Sequence, residues 1–165
     1  MERKIWELFN LLNEYEPEAE ADIKGSPQYP NLSGKVLFYP FWSGTLLVVY
    51  VKGLPFSDQP CERKMCAFHI HRGSQCTGTP ENPFANAGSH FNPQNCEHPE
   101  HAGDLPLLMS NHGMAFQTVY TERFTPLEVV GKTAIIHENP DDYHTQPSGN
   151  AGMMIACGEI QKAAN

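Results

Sequence analysis

Met65-Cys66-Ala67-Phe68-His69-Ile70-His71 is the stretch from which the rest of this chain is read. In an extended strand successive side chains alternate, so His69 and His71 leave one face while Phe68 and Ile70 point to the other. One rigid element thus carries two imidazoles above an apolar underside. Partner strands are found along the chain. Leu32 to Tyr39 alternates in part, and Thr45-Leu46-Leu47-Val48-Val49-Tyr50-Val51 is a continuous β-branched and apolar run ending at Gly53-Leu54-Pro55. Met114 to Tyr120, Lys132 to His137 and Met153 to Ile160 are further candidates. Gly, Pro and Asn turns separate them, and scarcely any helical pattern follows Tyr15. The expected fold is all-β, a sandwich or a flattened barrel, with functional side chains carried on long linkers.

The remaining histidines give those linkers a purpose. His90, His98, His101 and Asp104 fall in a Gly-, Pro- and Asn-rich stretch from Gly88 to Asp104, a loop able to wrap an ion. Three imidazoles and one carboxylate suit zinc and fill all four positions, as a closed structural site does. His137 ends the apolar run Thr133-Ala134-Ile135-Ile136, at the tip of another strand. His112 and His144 fit no such spacing and are expected at the surface.

Composition sets the outer limits. At 165 residues and 40% hydrophobic content the chain can bury one sizeable core. Eleven basic against nineteen acidic residues, with no interleaving of aromatic and basic side chains, argue against nucleic acid as a partner. No apolar run reaches the ~20 residues that span a bilayer. Glu2 to Leu12 has apolar residues at helical spacing, continuing toward Tyr15, and reads as a short amphipathic helix. Two uses stay open for it, packing on the barrel and mediating association, with the first preferred. Its mixed charge argues against a membrane role. The acidic run Glu16-Pro17-Glu18-Ala19-Glu20 marks a boundary, giving a helix and linker over 1–20 and a folded domain over 21–165. The opening Met1-Glu2-Arg3-Lys4 leads into too short and acidic a segment for a secretory signal, which leaves two localisations open, the cytoplasm and, for a form from which a leader has been removed, an extracytoplasmic compartment.

Five short segments, in order, resemble the copper/zinc superoxide dismutases of the bacterial kind. They are Ala67-Phe68-His69-Ile70-His71 with Gly73-Ser74-Gln75-Cys76, Gly88-Ser89-His90-Phe91-Asn92-Pro93, His101-Ala102-Gly103-Asp104-Leu105-Pro106, Ile135-Ile136-His137-Glu138-Asn139-Pro140-Asp141-Asp142, and Gly149-Asn150-Ala151-Gly152 before Ala156-Cys157-Gly158. The resemblance covers roughly residues 21 to 161. It implies a Greek-key, immunoglobulin-like sandwich or flattened eight-stranded barrel with long metal-binding loops. It also implies copper on His69, His71, His90 and His137, and zinc on His90, His98, His101 and Asp104, with the His90 imidazolate serving both ions. Asp141 resembles the carboxylate that links a copper ligand to a zinc ligand and fixes their tautomers. The implied reaction is disproportionation of superoxide to dioxygen and hydrogen peroxide at a redox-cycling copper, with zinc shaping the site. A copper-binding or copper-delivery module without turnover is the alternative on the same fold.

The chain departs from the family at one place. An arginine that guides the substrate anion precedes the family's final Ala-Cys-Gly, and Met154 stands at that position here. A thioether carries no charge, and from His137 to Gly152 there is neither Lys nor Arg to replace it. A reduced rate with weak salt dependence is therefore expected. Cys76 and Cys157 match the family's disulfide. Of the other three cysteines, Cys61 has no expected role, while Cys66 and Cys96 are open to burial or to competition for metal, with burial favoured.

Overall fold

The structure is a computed structural model and describes residues 15–62 and 64–164. The helix read over Glu2 to Leu12 lies outside them. Among the described residues nine strands form one antiparallel sheet: β1 (Ala19–Gly25), β2 (Ser33–Phe41), β3 (Gly44–Lys52), β4 (Met65–His71), β5 (Asp104–Met109), β6 (Met114–Thr121), β7 (Thr133–His137), β8 (Met154–Glu159) and β9 (Gln161–Lys162). The order is β5-β4-β7-β8-β1-β2-β3-β6, with β9 paired to β1. Strands β5 and β6 follow each other in the chain yet end that order, so the sheet curls into a nearly closed barrel of eight strands. Of the two architectures open in the sequence, the flattened barrel is the one formed. Among the described residues the helical content is two short turns, a 3-10 turn at Ala85–Ala87 and an α-helical turn at Pro126–Val129, the second capped by reciprocal bonds between Thr125 and Glu128. Among the described residues no helix is long and apolar enough to cross a membrane.

Alternation explains which side chains fill the barrel. Val36 and Phe38 of β2, Leu47, Val49 and Val51 of β3, Phe68 and Ile70 of β4, and Ala134 and Ile136 of β7 share one core. Each large apolar side chain fully buried there contributes about 1.5–3 kcal/mol. The opposite face of β2 and β3 carries a second cluster of Leu37, Tyr39, Val48 and Tyr50. Both faces of β3 are thus apolar, which is why its sequence is a continuous run instead of an alternating one. Strand β1, opening at Ala19, brings Ala19, Ala21 and Ile23 into the core.

The same alternation turns the histidines outward. With Phe68 and Ile70 in the core, His69 and His71 stand on the outer face of β4, and β7 pairs alongside with His69 opposite Ile135. His137 continues the Ile135 face, next to a register irregularity between Ile136 and His137. Two long connections, residues 72–103 and 138–153, fold over this face. The first is pinned to β4: Phe91 N–H donates to Ile70 O at 2.8 Å, and Ile70 N–H to Gly103 O at 2.9 Å. Gly103 permits that approach, because a Cβ there would run into the Ile70 carbonyl oxygen.

Cys76 of the first connection is bonded to Cys157 of β8 across 81 residues of sequence. Cys66 is buried in the core, while Cys61 and Cys96 are exposed. The burial favoured for Cys96 is therefore corrected: the loop turns it outward, with its backbone held by the Asn92 side chain. Closing so long a loop restricts the unfolded chain, and the Cys76→Ser/Cys157→Ser variant is expected to lose about 2–4 kcal/mol of stability. Urea unfolding of the oxidised and double-serine proteins checks this, and identical midpoints would contradict it.

Candidate metal centre

The outer face of β4 and β7 and the two connections above it gather every histidine expected to bind metal. His69, His71, His90 and His137 form one group of ligand-type atoms lying within 4.8 Å of one another, and His90, His98, His101 and Asp104 form a second. His90 belongs to both. All seven side chains are buried. His112 and His144 are exposed, as their spacing led us to expect.

The surroundings decide which nitrogen of each ring carries hydrogen. A carbonyl only accepts, so His71 Nδ1–H donates to Gly88 O at 2.7 Å and His137 Nδ1–H donates to Gly152 O at 3.1 Å. Their Nε2 atoms are left with lone pairs, and these face each other at 3.3 Å. The Asp141 carboxylate fixes two further rings. It accepts from His69 Nε2–H at 2.7 Å and from His98 Nε2–H at 2.9 Å, one oxygen to each. That leaves His69 Nδ1 buried without a hydrogen-bond partner, as is His98 Nδ1, which lies 3.0 Å from Asp104 Oδ2. His90 sits between the groups, with Nδ1 at 2.7 Å from Asp104 Oδ1 and 3.3 Å from His101 Nδ1, and with Nε2 buried and unpartnered. Lone pairs aimed at lone pairs, away from water, are what a cation resolves, and neutral imidazole with carboxylate is a donor set that copper and zinc accept.

Charge states agree with that geometry. Burial, then the neighbouring His90 and His137 rings, drives His69 far below the ordinary histidine range. Burial and the His137 and His90 rings likewise lower His71. His137 falls to about 4, chiefly through burial and against the bond to Gly152 O, which opposes the shift. Burial works against ionisation of Asp104, but the His90 hydrogen bond and the surrounding imidazoles carry it below its usual value. His69, His71 and His137 are thereby held as neutral rings and Asp104 as a carboxylate, the forms that bind metal.

Several contributors have no signature in the sequence. The Gly88 and Gly152 carbonyls orient rings through backbone atoms alone. Gln146 clasps the His98 backbone from both sides, accepting from its N–H at 3.0 Å and donating to its carbonyl at 2.6 Å. A cavity of about 510 Å³ leads to the first group, and His71, His90, His137 and Met154 are on its wall. No Lys or Arg is among the described residues that line it, and Glu81 is. Met154 is half-buried at the start of β8, in register with His137.

A flattened antiparallel barrel with two abutting ligand groups on its outer face defines a β-barrel metalloprotein with places for two ions. Residues 32–160 match the family described as copper/zinc superoxide dismutase (SODC). Superoxide dismutase [Cu-Zn] 2 of Aquifex aeolicus is 32% identical, covering 85% of this chain and 88% of the relative. Superoxide dismutase [Cu-Zn] of Deinococcus radiodurans is 30% identical over 88% of this chain and 85% of its own. Among solved structures, the Cu/Zn superoxide dismutase from Brucella abortus superposes with a TM-score of 0.73 at 26% identity, covering 87% of this chain and all of that one. A superoxide dismutase-like protein from Bacillus subtilis gives 0.69 at 28% identity over 84% and 95%. The chain belongs to the copper/zinc superoxide dismutase family, and copper and zinc are the metals that go with it.

The lowered histidines set a pH dependence for the metal-free protein. In the unfolded chain these rings take up protons as pH falls through about 6.5, whereas the folded chain resists doing so until about 4 for His137. The His137 contribution is complete above about 6.5 and is lost as pH falls from there through about 4, while those of His69 and His71 go on falling below that. Urea unfolding of the metal-free protein at stepped pH across that window should show falling stability, with a shallower fall in His137→Gln. A flat profile would contradict the burial of neutral rings.

Proposed function

We propose that this protein disproportionates superoxide, with copper held by His69, His71, His90 and His137, zinc held by His90, His98, His101 and Asp104, and His90 shared. The observation that carries this reading is the membership of one buried ring in both ligand groups. When bound, copper supplies one-electron chemistry in both directions, and zinc, which has no redox chemistry, holds the site in shape.

The chain's own residues do the rest. Gly88 O, Gly152 O and Asp141 hold His71, His137 and His69 in the tautomers that aim a lone pair at one point. Asp141 also holds His98, so one carboxylate keeps the two groups in register. His90 has no carbonyl on its Nε2. That nitrogen would join the copper set when the ion is bound, and when not so held it would be free to carry a proton. Two superoxide anions and two protons become one dioxygen and one hydrogen peroxide, and His90 Nε2 would be the group that supplies a proton to the peroxide.

Steering of the anion is the weak part. The half-buried Met154 lines the cavity where the family has its guiding arginine, and the lining carries Glu81 but no cation. Loss of that focusing slows encounter by roughly tenfold or more. The same feature favours a second reading, a copper-binding or copper-delivery module that holds the ion without turnover.

Assay of the copper- and zinc-loaded protein, with metal content measured on the same sample, separates the two. The enzyme reading expects a copper-dependent rate that His137→Ala abolishes, and stoichiometric copper without turnover selects the module. The steering account expects Met154→Arg to raise the rate and to restore its fall with ionic strength. Equal rates and equal salt slopes in the two proteins would reject it.

A further inference from the structure

We propose that Arg123 is a positioning residue for the zinc set, a cationic clamp that fixes the backbone from which His101 and Asp104 project. This rests on the assignment of zinc to His90, His98, His101 and Asp104. Arg123 lies just after β6, and its own N–H donates to Thr121 Oγ1 at 3.2 Å. Its guanidinium reaches back some twenty residues of sequence into the ligand loop. Nη1 donates to Pro99 O at 3.1 Å, His101 O at 3.1 Å and Asp104 O at 3.4 Å, while Nη2 lies 3.6 Å from Glu100 Oε2. Two of those three carbonyls belong to ligand residues themselves, and the third adjoins His98.

Three carbonyl oxygens turned toward one point repel one another and call for a strong donor, although His101 O also accepts the Asp104 N–H at 3.1 Å. A guanidinium suits the task because its hydrogen bonds are charge-assisted and its charge does not titrate. The other members of the set are tied by different means. His98 is held at its ring by Asp141 and at its backbone by Gln146, and the Gly88–Phe91 segment is pinned to β4. Both Asp141 oxygens are taken, by His69 on one side and by His98 with the Tyr143 N–H on the other. That carboxylate therefore does not orient His101. The His101 ring lies 3.3 Å from His90 Nδ1 and from Asp104 Oδ2, contacts within the set itself, so its placement falls to the backbone that Arg123 grips. The clamp also joins the start of the β6–β7 connection to the end of the loop entering β5, across the seam where the barrel is not closed by strand pairing.

The test compares wild type, Arg123→Met and Arg123→Lys as copper- and zinc-loaded proteins. Zinc retention is measured by competition with a chromogenic chelator. Cobalt(II) placed in the zinc position reports ligand geometry through its d–d spectrum, and the copper d–d band serves as internal reference. Removing a group that orients metal ligands lowers affinity by about tenfold to hundredfold. Arg123→Met should lose zinc faster by a factor in that range and shift the cobalt spectrum, with the copper band unmoved. Arg123→Lys, which keeps a cation and three donors, should recover part of the loss. Thermal unfolding of the metal-free forms separates this from general damage: the clamp predicts a larger drop in the loaded protein than in the metal-free one. Equal drops with unchanged zinc retention would overturn it, as would an unaltered cobalt spectrum in Arg123→Met. His101→Ala is the control for the underlying assignment. Zinc retention indifferent to His101→Ala overturns the assignment and the clamp together, whereas retention lost in His101→Ala but intact in Arg123→Met overturns the clamp alone.

Discussion

Buried nitrogen lone pairs must be met by a donor or by a cation, and here they converge where the described residues provide too few donors. Four rings of the centre, His71, His137, His69 and His98, commit their protons outward, toward Gly88 O, Gly152 O or Asp141. The opposite nitrogens are left facing inward, two of them at 3.3 Å from each other and two, His69 Nδ1 and His98 Nδ1, with no hydrogen-bond partner, and His90 Nε2 is buried and unpartnered beside them. An arrangement of this kind costs folding free energy on its own. Metal binding reverses that cost, so the centre couples ion affinity to the stability of the loops around it.

The barrel makes the arrangement possible by separating two tasks. Its interior holds the apolar side chains that drive folding, and its outer face at β4 and β7 presents imidazoles from rigid backbone. The connections over that face supply what strands cannot, namely ligands at short spacing and carbonyls aimed at rings. They are long, and they are tied down at several points: by the Cys76–Cys157 bond, by the hydrogen bonds to Ile70, by Gln146 and by Arg123. Asp141 is the tie that matters most for chemistry, because its two oxygens hold a ring of each group and transmit any displacement of one to the other.

Much of this was legible in the sequence because it rests on periodicity and on residue type. Strand alternation placed Phe68 and Ile70 in the core with His69 and His71 outside, and the ligand-type side chains singled out along the chain are the ones gathered in space. The strands that went unread have physical reasons. In β1 the inward positions are Ala19, Ala21 and Ile23, two of them too small to give a hydrophobic signal, and the flanking Glu and Pro suggested a linker. In β5 Pro106 and the leading Asp104 spoke against a strand, yet β5 ends the order and an edge strand tolerates proline. The carbonyls of Gly88 and Gly152 were invisible because a backbone acceptor has no residue-type signature. Arg123 and Gln146 were missed because their contacts lie roughly twenty to fifty residues away in sequence. Cys96 shows the opposite error, a favoured burial inferred from residue type where loop geometry turns the thiol outward.

The account stands on the sharing of the His90 ring, and its magnetism offers the most direct test. Copper(II) loaded into both ligand groups puts one unpaired electron on each side of that imidazole, and electron paramagnetic resonance of this two-copper protein reports whether the spins communicate. A bridging ring predicts coupled spins, with the ordinary cupric signal largely lost and recovered when zinc replaces copper in the second group. Two independent cupric signals at full intensity would contradict it.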